Sequence, residues 1–143
     1  MLTEQALQLI KTGQASCVVV RENEIIHTAS GPGVSPLMAL YREEPDKLKG
    51  SLVLDKIIGK AAAVILVLGN TKQAFGEIMS VSGRDYLIHH DIQVEYGSLV
   101  DAVINREGNG ICPLEQSVVD FDDPRECFVQ ITAAIKILME QAG

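Results

Sequence analysis

The run Ser51-Leu-Val-Leu-Asp55-Lys56-Ile-Ile-Gly59-Lys60-Ala-Ala-Ala-Val-Ile-Leu-Val-Leu-Gly69 constrains this chain more than any other stretch. From Ile57 to Leu68 every residue except Gly59 and Lys60 is apolar. The run reads as one helix, and a helix that is apolar nearly all round is buried nearly all round. Buried Asp and Lys are rare unless they are paired or belong to a site. Asp55, Lys56 and Lys60 are therefore the first candidates for ligand binding or chemistry.

Read as a helix, Lys56 and Lys60 share one face, where two like charges repel and an anion between them relieves the cost. Asp55 stands near the helix start, where the macrodipole favours a carboxylate. Gly59 removes a side chain just before Lys60 and permits close approach of a ligand or backbone. Lys60, flanked by Ile58 and three alanines, has the low-dielectric walls that depress an ammonium pKa and create a base or nucleophile. The competing reading is structural: Asp55 a cap, Lys56 turned outward, Gly59 a packing position.

A second segment, Asn105-Arg-Glu-Gly-Asn-Gly-Ile-Cys-Pro-Leu-Glu115, runs from a glycine-rich turn into a helix start. Such a turn presents free backbone N–H groups to an anion. Asn105, Arg106 and Gly110 belong to that turn. Cys112 is placed where a thiol pKa falls, and Glu115, three residues on, is in reach of it. The plain alternative makes Cys112 a small buried apolar residue and Glu115 an ordinary first-turn acid. The Gly31-Pro-Gly33 loop is a third, weaker nest. His27 and the pair His89-His90 lack partners at metal spacing and read as surface or core histidines, so no metal and no cofactor is expected.

The chain of 143 residues fits a single domain, 1–143, large enough for a proper core. Its net charge of −7 argues against nucleic acid as a partner. The longest apolar run is interrupted and falls short of the ~20 residues of a membrane span. Residues 1–10 lack the basic stretch and long apolar core of a secretion signal. Cys17, Cys112 and Cys127 are distant and odd in number, which gives no disulfide framework and fits a reducing cytoplasm.

Thr3 to Thr12 reads as a first helix capped by Thr3. Ser16–Arg21 and Glu24–Ala29 follow as an antiparallel hairpin around Glu22-Asn23. Leu37–Arg42 is a helix with Ser35 as cap and Pro36 at its first position. After the long central helix come a strand at Ala74–Ser80, a helix at Arg84–His90 capped by Ser82, and a strand at Ile92–Tyr96. That order predicts a right-handed parallel crossover. Leu99–Asn105 and Ile111–Val119 read as short helices, and Pro124–Glu140 as a closing amphipathic helix. Helices on both faces of a sheet give an α/β fold.

The combination Asp55-Lys-x-x-Gly59-Lys60-Ala-Ala-Ala, then Asn105-Arg106, then Gly110-x-Cys112-Pro113-x-Glu115, resembles the small prokaryotic family of unknown function DUF1893. The Gly31-Pro-Gly33 loop and a turn at Tyr96-Gly97 extend the resemblance over almost the whole chain. It implies a cytidine deaminase-like fold, a three-layer α/β/α sandwich around a mixed sheet. A zinc deaminase needs His or Cys two residues before Glu, then Pro-Cys-x-x-Cys. Here the corresponding helix carries Asp55-Lys-x-x-Gly59-Lys60, and Ser82–His90 contains no cysteine. Zinc-dependent deamination is therefore not expected, and fold alone does not supply another function.

The expectation is a metal-free, deaminase-like cytoplasmic domain that binds a small anionic metabolite or nucleotide derivative. Its site residues would be Asp55, Lys56, Gly59, Lys60, Asn105, Arg106, Gly110, Cys112 and Glu115. One rival is an enzyme with Cys112 as nucleophile and Lys60 or Glu115 moving protons. Another is a homo-oligomeric structural or regulatory subunit, in which the lysines pair with acids across an interface and Arg106 or Glu115 makes contacts.

Overall fold

The structure is a computed structural model that describes residues 2–105 and 107–142. The side chain of Thr3 and the whole of Arg106 lie outside the described residues, and with them the expected cap and the expected site role of Arg106. The chain begins with helix α1 (Leu2–Lys11) and a hairpin of strands β1 (Cys17–Arg21) and β2 (Glu24–Ala29). At the hairpin turn Glu22 and Asn23 both have positive φ, 53° and 64°, as a two-residue loop matched to strand twist requires. Helix α2 (Ser35–Glu43), with Pro36 in its first turn, leads through a 3-10 turn (Pro45–Lys47) to the central run.

There the structure corrects the expected helix. Leu52–Ile58 is a strand, β3, and only Lys60–Leu68 is helical, as α3. Gly59 is extended, with φ −102° and ψ −169°, and marks the boundary. β3 is the central strand of a five-stranded sheet ordered β2-β1-β3-β4-β5, where β4 is Gln73–Ser80 and β5 is Gln93–Val100. A central strand is covered on both faces and reads as a continuous apolar run, which is why its sequence lacks the alternation of a half-exposed strand. β1 pairs antiparallel with β2 and β3, whereas β3, β4 and β5 run parallel. The expected crossover is present, with α4 (Val81–His89) joining β4 to β5.

The helix expected at Leu99–Asn105 is absent. Pairing with β4 carries β5 on to Val100, so Tyr96-Gly97 lies inside a strand and not in a turn. The chain from Val103 to Cys112 then forms an irregular hairpin bridged at Ile104 and Ile111. The short helix α5 covers Pro113–Ser117, and α6 (Pro124–Ala142) closes the chain.

Strand alternation divides the core into two layers. Cys17, Val19, Val53 and Ala74 face one way and pack with α2, α3, α4 and α6; Ala61 to Leu66 are all buried there. Val18, Val20, Leu54 and Phe75 face the other way and pack with Ala6 and Ile10 of α1. α1 meets β1, β2 and β3, and so covers one half of its face. No helix of the described residues is long and apolar enough to cross a membrane.

Candidate functional site

Two parallel strands, β3 and β4, run at their carboxyl ends directly into α3 and α4. Ligand sites in open α/β sheets gather at that end. The two helix starts lie close together because two glycines allow it. A Cβ on Gly83 of α4 would stand 2.8 Å from the carbonyl carbon of Gly59, and a Cβ on Gly59 would overlap the carboxylate of Glu115. Ser80 caps α4 by accepting the Gly83 N–H at 3.0 Å.

Glu115 reaches this point from α5. Its Oε1 accepts the Lys60 N–H at 2.6 Å and its Oε2 the Ala61 N–H at 2.9 Å, so the carboxylate caps α3. Burial pushes its pKa up, against the pull of those two amides and the Lys60 charge. The Lys60 side chain turns the other way. Its Nζ donates to the carbonyls of Val118 at 2.7 Å and Phe121 at 2.6 Å, stands 4.0 Å from Asp122 Oδ1, and lies 5.5 Å above the Tyr86 ring. The ammonium is thus held by the segment between α5 and α6.

Beside Lys60 opens a cavity of about 600 Å3. Tyr86 and His89 of α4, with His90 just past its end, form an aromatic wall, the Tyr86 and His90 rings 4.5 Å apart. Asp122 and Asp123 face it, with Ser82 and Asp85 at the start of α4. The Tyr86 hydroxyl donates to the Asp122 carbonyl at 2.7 Å, and burial raises its pKa. Asp123 caps α6, accepting the N–H groups of Arg125 and Glu126. Among the described residues no group of three or more His, Cys, Asp or Glu is placed to hold a metal ion.

Gly59, Lys60 and Glu115 therefore converge, and the other expected site residues among the described ones do not join them. Lys56 is exposed on β3 and cannot share a helix face with Lys60, because residues 56 and 60 belong to different elements. Asp55 is 5% exposed, opposite Cys17 of β1, with Oδ1 3.3 Å from the Ile57 N–H. Burial pushes Asp55 up to about 7 and the neighbouring Cys17 thiol upward as well. Asn105 and Asn109 hold their own turn through reciprocal hydrogen bonds, with the Gly110 carbonyl accepting the Asn105 N–H. Cys112 precedes α5, half-buried against the core, its N–H donating to Val103. Its thiol does not line the cavity beside Lys60.

The wall residues Tyr86, His89, His90, Asp122 and Asp123 carry no spacing signal toward Lys60. His89-His90 was visible only as a local pair of histidines.

A family model described as a domain of unknown function, DUF1893, matches residues 5–135. The crystal structure of a DUF1893 family protein from Thermotoga maritima superposes with a TM-score of 0.83 at 25% identity, over 92% of this chain and 88% of that one. A diaminohydroxyphosphoribosylaminopyrimidine deaminase/5-amino-6-(5-phosphoribosylamino)uracil reductase from the same organism matches at 16% identity and a TM-score of 0.50, over 82% of this chain and 40% of that one. RibD of Acinetobacter baumannii matches at 21% identity and a TM-score of 0.49, over 67% and 34%. No curated protein sequence matches. The mixed α/β sheet is of the deaminase-like kind. With a family model spanning nearly its whole length, the chain belongs to the DUF1893 family.

Proposed function

We propose that this protein binds a small nucleotide derivative in the cavity beside Lys60, without a bound metal. The observation that carries the reading is the convergence there of one ammonium, three ring side chains and three aspartates, Asp85, Asp122 and Asp123. A volume of about 600 Å3 lies in the range of small-molecule sites. The Tyr86–His90 wall suits the flat face of a heterocycle. Asp85 and Asp122 accept hydrogen bonds from ring amino groups or sugar hydroxyls. Three carboxylates against one lysine disfavour a highly charged anion, so the anionic part is limited to one phosphate near Lys60. The name of the Thermotoga maritima deaminase/reductase contains a phosphoribosylated aminopyrimidine, a molecule of this class. Cys112 lies outside the cavity and has no part in this reading.

Thermal unfolding with nucleosides, nucleoside monophosphates and inorganic phosphate tests it. A ligand at about 100 times its Kd raises Tm by about 5–10 °C in a domain of this size. Asp122→Asn and His90→Ala, which leave the core untouched, should each reduce that shift. The absence of a shift with every nucleoside and nucleotide overturns the reading.

A further inference from the structure

The two edges of the sheet are built differently. At β2 the pairing register shifts between Val19 and Val20, and a bulge of this kind twists an edge away from other chains. At β5 the sequence Gln93-Val-Glu-Tyr-Gly-Ser-Leu-Val100 holds no lysine, arginine or proline, and its free side pairs with nothing among the described residues. Glu95 to Leu99 are exposed at five successive positions, so both faces of the strand meet solvent there. α1 covers the β1–β3 half of its face and leaves the β5 end bare. Beside that strand Glu77 Oε2 is sealed from water without a hydrogen-bond partner, close to where a Cβ on Gly97 would stand. The hairpin after β5 adds Ile104 and Ile111, 53% and 47% exposed.

We propose that β5 is the interface with a second copy of this chain, paired antiparallel across a two-fold axis into one continuous ten-stranded sheet. Charge pattern selects a copy of the same strand as the occupant. In the register centred on Gly97, Glu95 faces Leu99 and Asp101 faces Gln93, and no like charges oppose one another. The strand alone falls short of the roughly 800 Å2 per partner of a standard interface. The bare end of the sheet face and the Ile104–Ile111 arm adjoin it and supply further apolar surface. The pairing is independent of any ligand in the Lys60 cavity.

Sedimentation equilibrium from about 1 μM to about 1 mM should show a monomer–dimer equilibrium. Leu99→Lys and Ser98→Lys, at exposed positions, should each weaken association at least about tenfold while leaving the circular dichroism spectrum unchanged. Amide exchange within β5 should slow as concentration rises. Met139→Lys, on the exposed face of α6, should leave the dimer intact. A monomer throughout the range overturns the proposal, as does a dimer that both β5 variants leave unchanged or that Met139→Lys dissolves.

Discussion

Two buried carboxylates flank the turn at Gly59, and burial raises both pKa values, but their compensation differs. Glu115 is met by two helix N–H groups and the nearby Lys60 charge, which offset part of the cost of burying its ionised form, although burial still raises its pKa. Asp55, three residues inside the end of β3, has only backbone N–H groups of its own strand to set against burial, and its pKa rises to about 7. The difference teaches that the start of α3 is an organised pair of donors for a carboxylate, whereas the middle of β3 tolerates a carboxyl best when it holds its proton.

The largest expected effect that tests this contrast is a pH dependence. Unfolded, Asp55 titrates near 3.8, and folded near 7. Between those values the folded chain holds a proton that the unfolded chain has lost. The stabilisation is therefore complete below about pH 4 and is lost as pH rises through about 7. Denaturant melts of Asp55→Asn should match wild type at pH 4 and exceed it at pH 8, by up to about 4 kcal/mol. A variant as pH-sensitive as wild type breaks the contrast from the Asp55 side.

Next in size is Gly59→Ala, whose Cβ would overlap the Glu115 carboxylate. A cost of about 3 kcal/mol is expected. Adding Glu115→Ala should recover part of it, and strict additivity in the double-mutant cycle would show that the two residues are not in contact. Smallest of the three is Glu115→Ala alone, which strips acceptors from the N–H groups of Lys60 and Ala61 and should cost about 2 kcal/mol. Glu115→Gln keeps one acceptor and should cost less. An equal loss for both variants would mean that side-chain bulk, and not hydrogen bonding, is what α3 requires.

The hairpin turn at Glu22-Asn23, the crossover through α4 and the closing α6 were legible from turn residues, from the alternation of strand and helix, and from a helical stripe, although α4 is capped by Ser80 and not by the expected Ser82. The strand β3 was not. A continuous apolar run has no period to separate a buried helix from a central strand, and Gly59 interrupts it at a single position. The composition shift within the run was the available cue, with Val53, Ile57 and Ile58 on one side and Ala61-Ala62-Ala63 on the other. Misreading that boundary placed Lys56 beside Lys60 and created an anion site that the fold does not build. The meeting of Glu115 with α3, across 55 residues of sequence, is a tertiary event that spacing cannot show. Both residues were nevertheless singled out, Glu115 beside a helix start and Lys60 as a cation in apolar surroundings.

Lys60 also acts as a ruler. Its single ammonium spans the carbonyls of Val118 and Phe121, so the number of residues between α5 and α6 is set by the reach of one side chain. Inserting or deleting a residue between 118 and 121 would separate those carbonyls and shift the phase at which α6 enters against α3. Length variation among relatives of this chain should accordingly gather in the 103–112 hairpin, where the turn is held by its own asparagines, and avoid 118–121.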